Sequence, residues 1–147
     1  MSRIYLDTNL YNRPFDDQSQ VRIRLETIAI FSIFQKIKNK ELTLLWSFMI
    51  DYENSLNPYD DIRQEIEMAA SLASEKITPD DSILSAAKEL ESKGIKPRDS
   101  MHLACALKWK AEYFLTCDDK LIKKASELNM NIKIINPLRF IEGMEVN

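Results

Sequence analysis

The sequence predicts an α/β fold of three layers, a central parallel β-sheet of about four to five strands flanked by helices. Three observations predict it. Short apolar runs alternate with longer stretches of helical period, the order expected of βαβ units. The runs at Arg3 to Leu6, Leu42 to Phe48 and Glu112 to Thr116 are continuously apolar rather than alternating, as in strands buried on both faces. Carboxylates recur where such a run ends or a helix begins: Asp7, Glu53, Asp99 and Asp118.

Taken in order, Arg3 to Leu6 is a buried strand and residues 10–18 a polar turn with Pro14 and two aspartates. A long helix from about Ser19 to Lys38 carries two apolar stripes. One is Val21, Leu25, Ile28 and Phe31; the other is Ile23, Ile30, Phe34 and Ile37. One stripe serves a core, so two imply burial on both sides, against another helix, a second subunit or a partner. Leu42 to Phe48 is the second strand. A short helix carrying Glu53 follows and stops before Asn57-Pro58, because the residue before proline disfavours helix. Residues 60–76 read as an amphipathic helix with Ile62, Ile66, Ala69 and Ala73 on one face. Thr78-Pro79-Asp80-Asp81 reads as the start of the next helix, with Thr78 as the capping hydroxyl and Pro79 in the first turn. That helix ends at Gly94. Another begins near Pro97, and Glu112 to Thr116 is the third strand. A helix from about Asp119 to Leu128, a strand at Ile132 to Ile135 and a last turn after Pro137 complete the chain. No repeat or long linker divides it, so residues 1–147 read as one domain.

Composition narrows the function. With only two glycines, Gly94 and Gly143, neither a P-loop nor a dinucleotide-binding glycine motif can be built. One histidine and two cysteines exclude multi-histidine zinc sites and cysteine cages. Cys105 and Cys117 form no disulfide framework, no signal-peptide pattern precedes the first strand and no apolar run suits a membrane. A reduced, cytoplasmic protein is expected. The net charge of −3 becomes +1 with the four acids set aside, so it does not argue against a phosphate substrate held through metal.

Each acid has an ordinary alternative. Asp118 or Asp119 can cap the following helix. Asp99 is favoured in any first turn, Glu53 can be a solvated helix residue, and Asp7 can bond its own backbone in a turn. Asp51 competes with Glu53 but lies half a helical turn away. What sets the four apart is convergence. In a parallel sheet, ligands bind beyond the carboxyl ends of the strands, and Asp7, Glu53 and Asp118 follow such ends. Unit charges about 4 Å apart repel by roughly 1 kcal/mol in water and roughly 4 at an effective dielectric near 20. A cation relieves this, and oxygen-only donors favour magnesium or manganese (Mg²⁺ or Mn²⁺) over zinc. Such a site suits metal-assisted attack of water on a phosphodiester.

The motifs resemble those of the PIN domain nucleases, which include the VapC-type toxins of toxin–antitoxin pairs. The resemblance runs through Leu6-Asp7-Thr8-Asn9, Ser47 through Glu53, Asp99-Ser100-Met101-His102-Leu103-Ala104, Thr116-Cys117-Asp118, and the closing Asn136, Pro137 and Phe140. It covers almost the whole chain. It implies a metal-dependent endoribonuclease in which Asp7, Glu53, Asp99 and Asp118 are the metal-binding and catalytic acids. Asn9 and Thr116 would orient them, and the cofactor would be Mg²⁺ or Mn²⁺. The implied partners are an RNA substrate and an antitoxin protein, with a homodimer suggested by the two-sided long helix. Cys117 departs from the family, where asparagine is common, and Asp119 offers a competing carboxylate beside Asp118.

Arg13 and Arg98 are candidate contacts to substrate phosphates. Arg22, Arg24, Lys120, Lys123 and Lys124 are candidate basic flanks for RNA. His102, three residues after Asp99 on one helix, is weighed for a metal or catalytic role and read as structural, and Trp46 and Trp109 read as core. Two other functions are weighed: a catalytically inactive PIN-like module that binds protein or RNA, and a signalling receiver domain. The receiver is disfavoured because the mid-chain strand leads to Glu53 rather than to an acceptor aspartate.

Overall fold

In the computed structural model, which describes residues 2–146, the strands are β1 (Ser2–Leu6), β2 (Leu42–Ser47), β3 (Glu75–Ile77), β4 (Tyr113–Leu115) and β5 (Lys133–Ile135). They form one wholly parallel sheet in the order β3-β2-β1-β4-β5. The helices flanking it are α1 (Thr8–Asn12), α2 (Val21–Lys38), α3 (Phe48–Ser55), α4 (Asp60–Ala69), α5 (Asp81–Ser92), α6 (Pro97–Lys108), α7 (Asp119–Ser126) and α8 (Pro137–Val146). This is the α/β class expected, with the full five strands.

The first strand in sequence is the central strand in space. Tyr5 pairs in register with Leu45 on one side and Phe114 on the other, and its ring stacks on Phe114 at 5.3 Å. Ile4, Tyr5, Leu6, Leu44, Leu45, Trp46 and Phe114 are all essentially inaccessible to solvent. Each large apolar side chain so buried contributes roughly 1.5–3 kcal/mol, an upper estimate for the folded state. On α2, Ile30, Ile33 and Ile37 pack into this core. Val21, Leu25, Ile28 and Phe31 remain exposed, so the two stripes have different fates.

Four local expectations are corrected. Residues 10–18 are not simply a turn: α1 starts directly at the end of β1, and a 3-10 turn over Arg13–Phe15 follows it. The helix expected over 60–76 ends at Ala69. After a 3-10 turn at Ala70–Leu72 the chain extends into β3, because the free edge of β2 accepts it: Ser74 N–H donates to the Leu44 carbonyl at 3.0 Å. The cap of α5 is Asp80 rather than Thr78. Its carboxylate accepts from Ile83 N–H at 2.9 Å, and Pro79 lies outside the helix. The C-terminal turn is a helix of 10 residues, α8.

One buried acid ties the layers together. Glu26 on α2 is 1% exposed and sits between Arg13 (3.2 Å) and Arg22 (3.3 Å). Asn136 Nδ2 donates to it at 2.6 Å, while Asn136 Oδ1 accepts from Leu138 N–H at the start of α8. The Asn-Pro pair thus both starts α8 and fastens it to α2.

Candidate active site

Asp7 follows the last residue of β1, and its N–H donates to the Leu115 carbonyl of β4 at 2.9 Å. Its side chain caps α1: Oδ1 accepts from Thr8 N–H at 2.8 Å. Oδ2 accepts from the Thr116 hydroxyl at 2.8 Å and from Asn9 Nδ2 at 3.2 Å. Asn9 also donates to Thr116 Oγ1 at 3.0 Å and accepts from Cys117 N–H at 3.1 Å. Asn9 and Thr116 therefore clamp Asp7 from two sides, each held by the other. Burial pushes the Asp7 carboxyl above the ordinary aspartate range. His102 and the Thr116 hydroxyl oppose that rise, and the nearby Glu53 adds to it.

Glu53 reaches the same place from α3. Its Oε1 accepts from the Thr8 hydroxyl at 2.8 Å and lies in short contact with His102 Nε2. Its Oε2 is 3.8 Å from Arg98. Burial raises the Glu53 carboxyl, but the His102 and Thr8 contacts outweigh it and the net shift is downward. His102 Nε2 is also 4.0 Å from Asp7 Oδ1, so one imidazole spans the two acids.

Asp99 stands in the first turn of α6, which runs back along the sheet and brings its amino end to the carboxyl ends of the strands. It is half-buried, and among the described residues its carboxylate has neither a hydrogen-bond donor nor an ion-pair partner. Burial pushes it up to about 6, and the neighbouring Asp7 and Asp118 carboxylates add to the rise. Asp118 caps α7, its Oδ1 accepting from Lys120 N–H at 3.0 Å and Leu121 N–H at 3.2 Å. The capping role foreseen as an alternative is thus real, and it engages one of the two carboxylate oxygens. Asp119 turns away to a two-pronged pair with Arg22 at 2.6 and 2.7 Å. Asp51 turns away to accept from Trp46 Nε1 at 2.9 Å.

The acids are linked pairwise: Asp99 feels Asp7 and Asp118, Asp7 feels Glu53, and His102 lies between Asp7 and Glu53. Among the described residues no three His, Cys, Asp or Glu side chains are drawn tightly enough to hold an ion outright. The donor set still fits a hard divalent ion. Its groups are carboxylate oxygens, Asp99 among them has no hydrogen-bond donor and no salt bridge among the described residues, and Mg²⁺ is typically held by one or two carboxylates with waters retained. A cleft of about 260 Å³ opens beside Asp99 and Asp118 and is rimmed by Lys96, Lys120 and Lys124. A larger hollow, about 840 Å³, lies at the amino ends of β4 and β5, at the far end of the sheet from the acids.

Of the arginines, Arg98 is exposed beside Glu53, its guanidinium 6.0 Å over the Tyr52 ring. Arg13 is engaged by Asp16 at 3.0 Å and by Glu26. Sequence reasoning passed over Tyr5, Thr8 and the contact of His102 with Glu53. The available signal was Tyr5 itself, since a tyrosine in the middle of a buried strand needs a partner for its hydroxyl.

The PIN domain family matches residues 4–127. No curated protein matches the sequence. Among solved structures, the fold is similar to that of VapBC2 from Rickettsia felis bound to a DNA fragment from their promoter. That likeness has 18% identity and a TM-score of 0.60, and covers 91% of this chain and 98% of the other. The fold is also similar to VapBC-1 from nontypeable Haemophilus influenzae, with 17% identity and a TM-score of 0.59 over 92% and 98% of the two chains. At these identities the likeness speaks for the fold.

Proposed function

This chain belongs to the PIN domain family, and from that premise we propose that residues 1–147 form one metal-dependent ribonuclease domain of VapC type, the toxin of a toxin–antitoxin pair. The observation that carries the reading is Asp99, a half-buried carboxylate beside Asp7 and Asp118, pushed up to about 6 by burial and by those acids against the pull of His102 and Lys96, with no hydrogen-bond donor and no salt bridge among the described residues. Asp7, Glu53, Asp99 and Asp118 would hold Mg²⁺ or Mn²⁺. Such an ion supplies Lewis acidity at phosphate and lowers the pKa of water. Asn9 and Thr116 keep Asp7 aimed at the site. Arg98 meets a substrate phosphate beside Glu53, and Arg13 supports the site through Glu26.

RNA is the proposed substrate. The lysine-rimmed cleft next to Asp99 and Asp118 supports this, since cations on one side of the acids can seat a phosphate backbone. An antitoxin is the proposed partner, by likeness of fold to VapBC proteins. The exposed stripe of Val21, Leu25, Ile28 and Phe31 gives it, or a second copy of the chain in a homodimer, an apolar face to cover. Among the described residues no helix is long and apolar enough to cross a membrane. A cytoplasmic location is part of this proposal.

The alternative, a PIN-like module that binds without cutting, draws on one observation: Glu53 is already satisfied by Thr8 and His102. Titrating Mg²⁺ and Mn²⁺ into wild type and Asp7→Asn on an RNA substrate separates the two. Cation-dependent cleavage lost in Asp7→Asn supports the nuclease; RNA bound but uncut at every cation concentration supports the module.

A further inference from the structure

Tyr5 lies at the centre of the sheet with no exposed surface, yet its hydroxyl has two partners, Ser47 Oγ at 2.5 Å and His102 Nδ1 at 2.6 Å. Ser47 is fully buried, and His102 is 1% exposed. The partners come from different elements. Ser47 ends β2 and its Oγ accepts from Met49 N–H at 3.2 Å, capping the helix that carries Glu53. His102 sits on α6 one turn after Asp99, and its other nitrogen faces Glu53 Oε1. Four side chains distant in sequence therefore form one line, Ser47–Tyr5–His102–Glu53.

The proton positions along this line follow from what each atom can do. An ionised carboxylate only accepts, so the contact at Glu53 needs a proton on Nε2. In the neutral form of the ring a proton there leaves the lone pair on Nδ1, which then accepts, whereas the cationic form donates from both nitrogens. The Tyr5 hydroxyl is the donor in reach, and burial keeps that phenol protonated by pushing it well above its ordinary range. The Tyr5 oxygen then accepts from the Ser47 hydroxyl. Thr8 Oγ1, 2.8 Å from Glu53 Oε1 and 3.4 Å from Nε2, completes the grip on the same carboxylate.

We propose that Ser47 and Tyr5 fix His102 with its proton on Nε2, and that this buried line is a positioning device that aims the Glu53 carboxylate at the cation site. Tyr5, Ser47 and His102 act through Glu53 and touch neither ion nor substrate. The role in ion binding rests on the nuclease reading; the order of hydrogen bonds does not. Partners that orient a metal-binding group typically change metal affinity 10- to 100-fold when removed. The same removal in a merely structural contact changes stability and leaves affinity alone.

The chain has one histidine, so its imidazole nitrogens give a single, unambiguous set of long-range ¹H–¹⁵N NMR signals. In the metal-free protein at a pH above the ordinary histidine range, Nε2 is expected to carry the proton and Nδ1 to be the bare acceptor. A proton on Nδ1 overturns the proposal. In Tyr5→Phe the signals should move toward a mixture of tautomers, and Mn²⁺ affinity measured by calorimetry should fall about tenfold or more. Should Tyr5→Phe not fold, His102→Gln and His102→Leu replace it. The glutamine amide keeps a donor for Glu53 and should retain most of the Mn²⁺ affinity, whereas leucine should lose it. Equal affinity in wild type and Tyr5→Phe, or in both His102 variants, removes the positioning role. Absence of Mn²⁺ binding by the wild type removes the nuclease reading instead, and the imidazole signals still decide the hydrogen-bond order.

Discussion

The Thr116 hydroxyl donates to the Asp7 carboxylate at 2.8 Å, joining residues 109 positions apart in sequence. The same oxygen accepts from Asn9 and from Asp118 N–H, so three parts of the site share one hydroxyl. Thr116→Val keeps the shape and removes the donor. Asp7 is then without one of the hydrogen bonds that hold its carboxyl down, and its pKa should rise further. The expected result is a fall in cleavage rate and a stability loss of about 1–3 kcal/mol, the usual cost of a buried acceptor left without its partner. Urea unfolding and single-turnover cleavage measure the two. An unchanged rate would show that Asp7 needs no help from Thr116.

Asp99 gives the metal-free protein a characteristic response to pH. Its folded-state pKa, about 6, lies above the ordinary aspartate value near 4. The folded state therefore binds more protons than the unfolded one between those values, and the contribution of Asp99 to stability rises as pH falls from about 6 to about 4. Asp99→Asn should raise the metal-free unfolding midpoint at pH 7 and lose that advantage near pH 4. The group is half exposed, so the gain is on the order of 1 kcal/mol or less after solvent screening. Added Mg²⁺ should reverse the ranking by stabilising wild type alone. A variant less stable than wild type at pH 7 without metal contradicts the crowding of carboxylates around Asp99.

Glu26 is buried between Arg13 and Arg22 and receives the Asn136 amide. Glu26→Ala should destabilise the fold by roughly 1.5–3 kcal/mol, the range for hydrogen bonds to charged groups. The loss should be larger than that of Asp119→Ala, whose exposed pair with Arg22 is worth about 0–1 kcal/mol. Equilibrium unfolding of the two variants tests the order; equal losses would mean that burial of the Glu26 network adds nothing.

The strands β1, β2 and β4 are legible as short apolar runs, and Asp7 and Asp118 as acids just beyond such runs, whereas Asp99 is marked only as an acid in a first helical turn. What the sequence hid depends on distance. β3 is three residues, Glu75-Lys76-Ile77, and only the open edge of β2 makes it a strand. Nothing local announces that Glu26 will be buried or that Asn136, 110 residues away, will reach it. The partners of His102 lie 49 and 97 residues away, in Glu53 and Tyr5. Capping was misread at Thr78 because two capping residues compete within three positions, and the choice went to the aspartate with a free backbone N–H to accept from.

Lys96, Lys120 and Lys124 rim the cleft beside Asp99 and Asp118. If RNA runs through that cleft, each Lys→Ala change should weaken binding across sequences alike. It should also reduce the slope of log affinity against log salt, by about 0.7 for each single-strand phosphate that the lysine no longer neutralises. Filter binding of a catalytically silent Asp7→Asn background at several salt concentrations reads this directly. Slopes identical to the background would place the RNA elsewhere.

Calorimetric titration of Mn²⁺ into wild type and into Asp7→Asn, Glu53→Gln, Asp99→Asn and Asp118→Asn addresses most directly whether the four acids form one cation site. The expected result is one saturable binding process in the wild type, weakened about tenfold or more by every one of the four substitutions. Wild-type affinity surviving in two or more of the variants would mean that these carboxylates, though neighbours, do not share an ion.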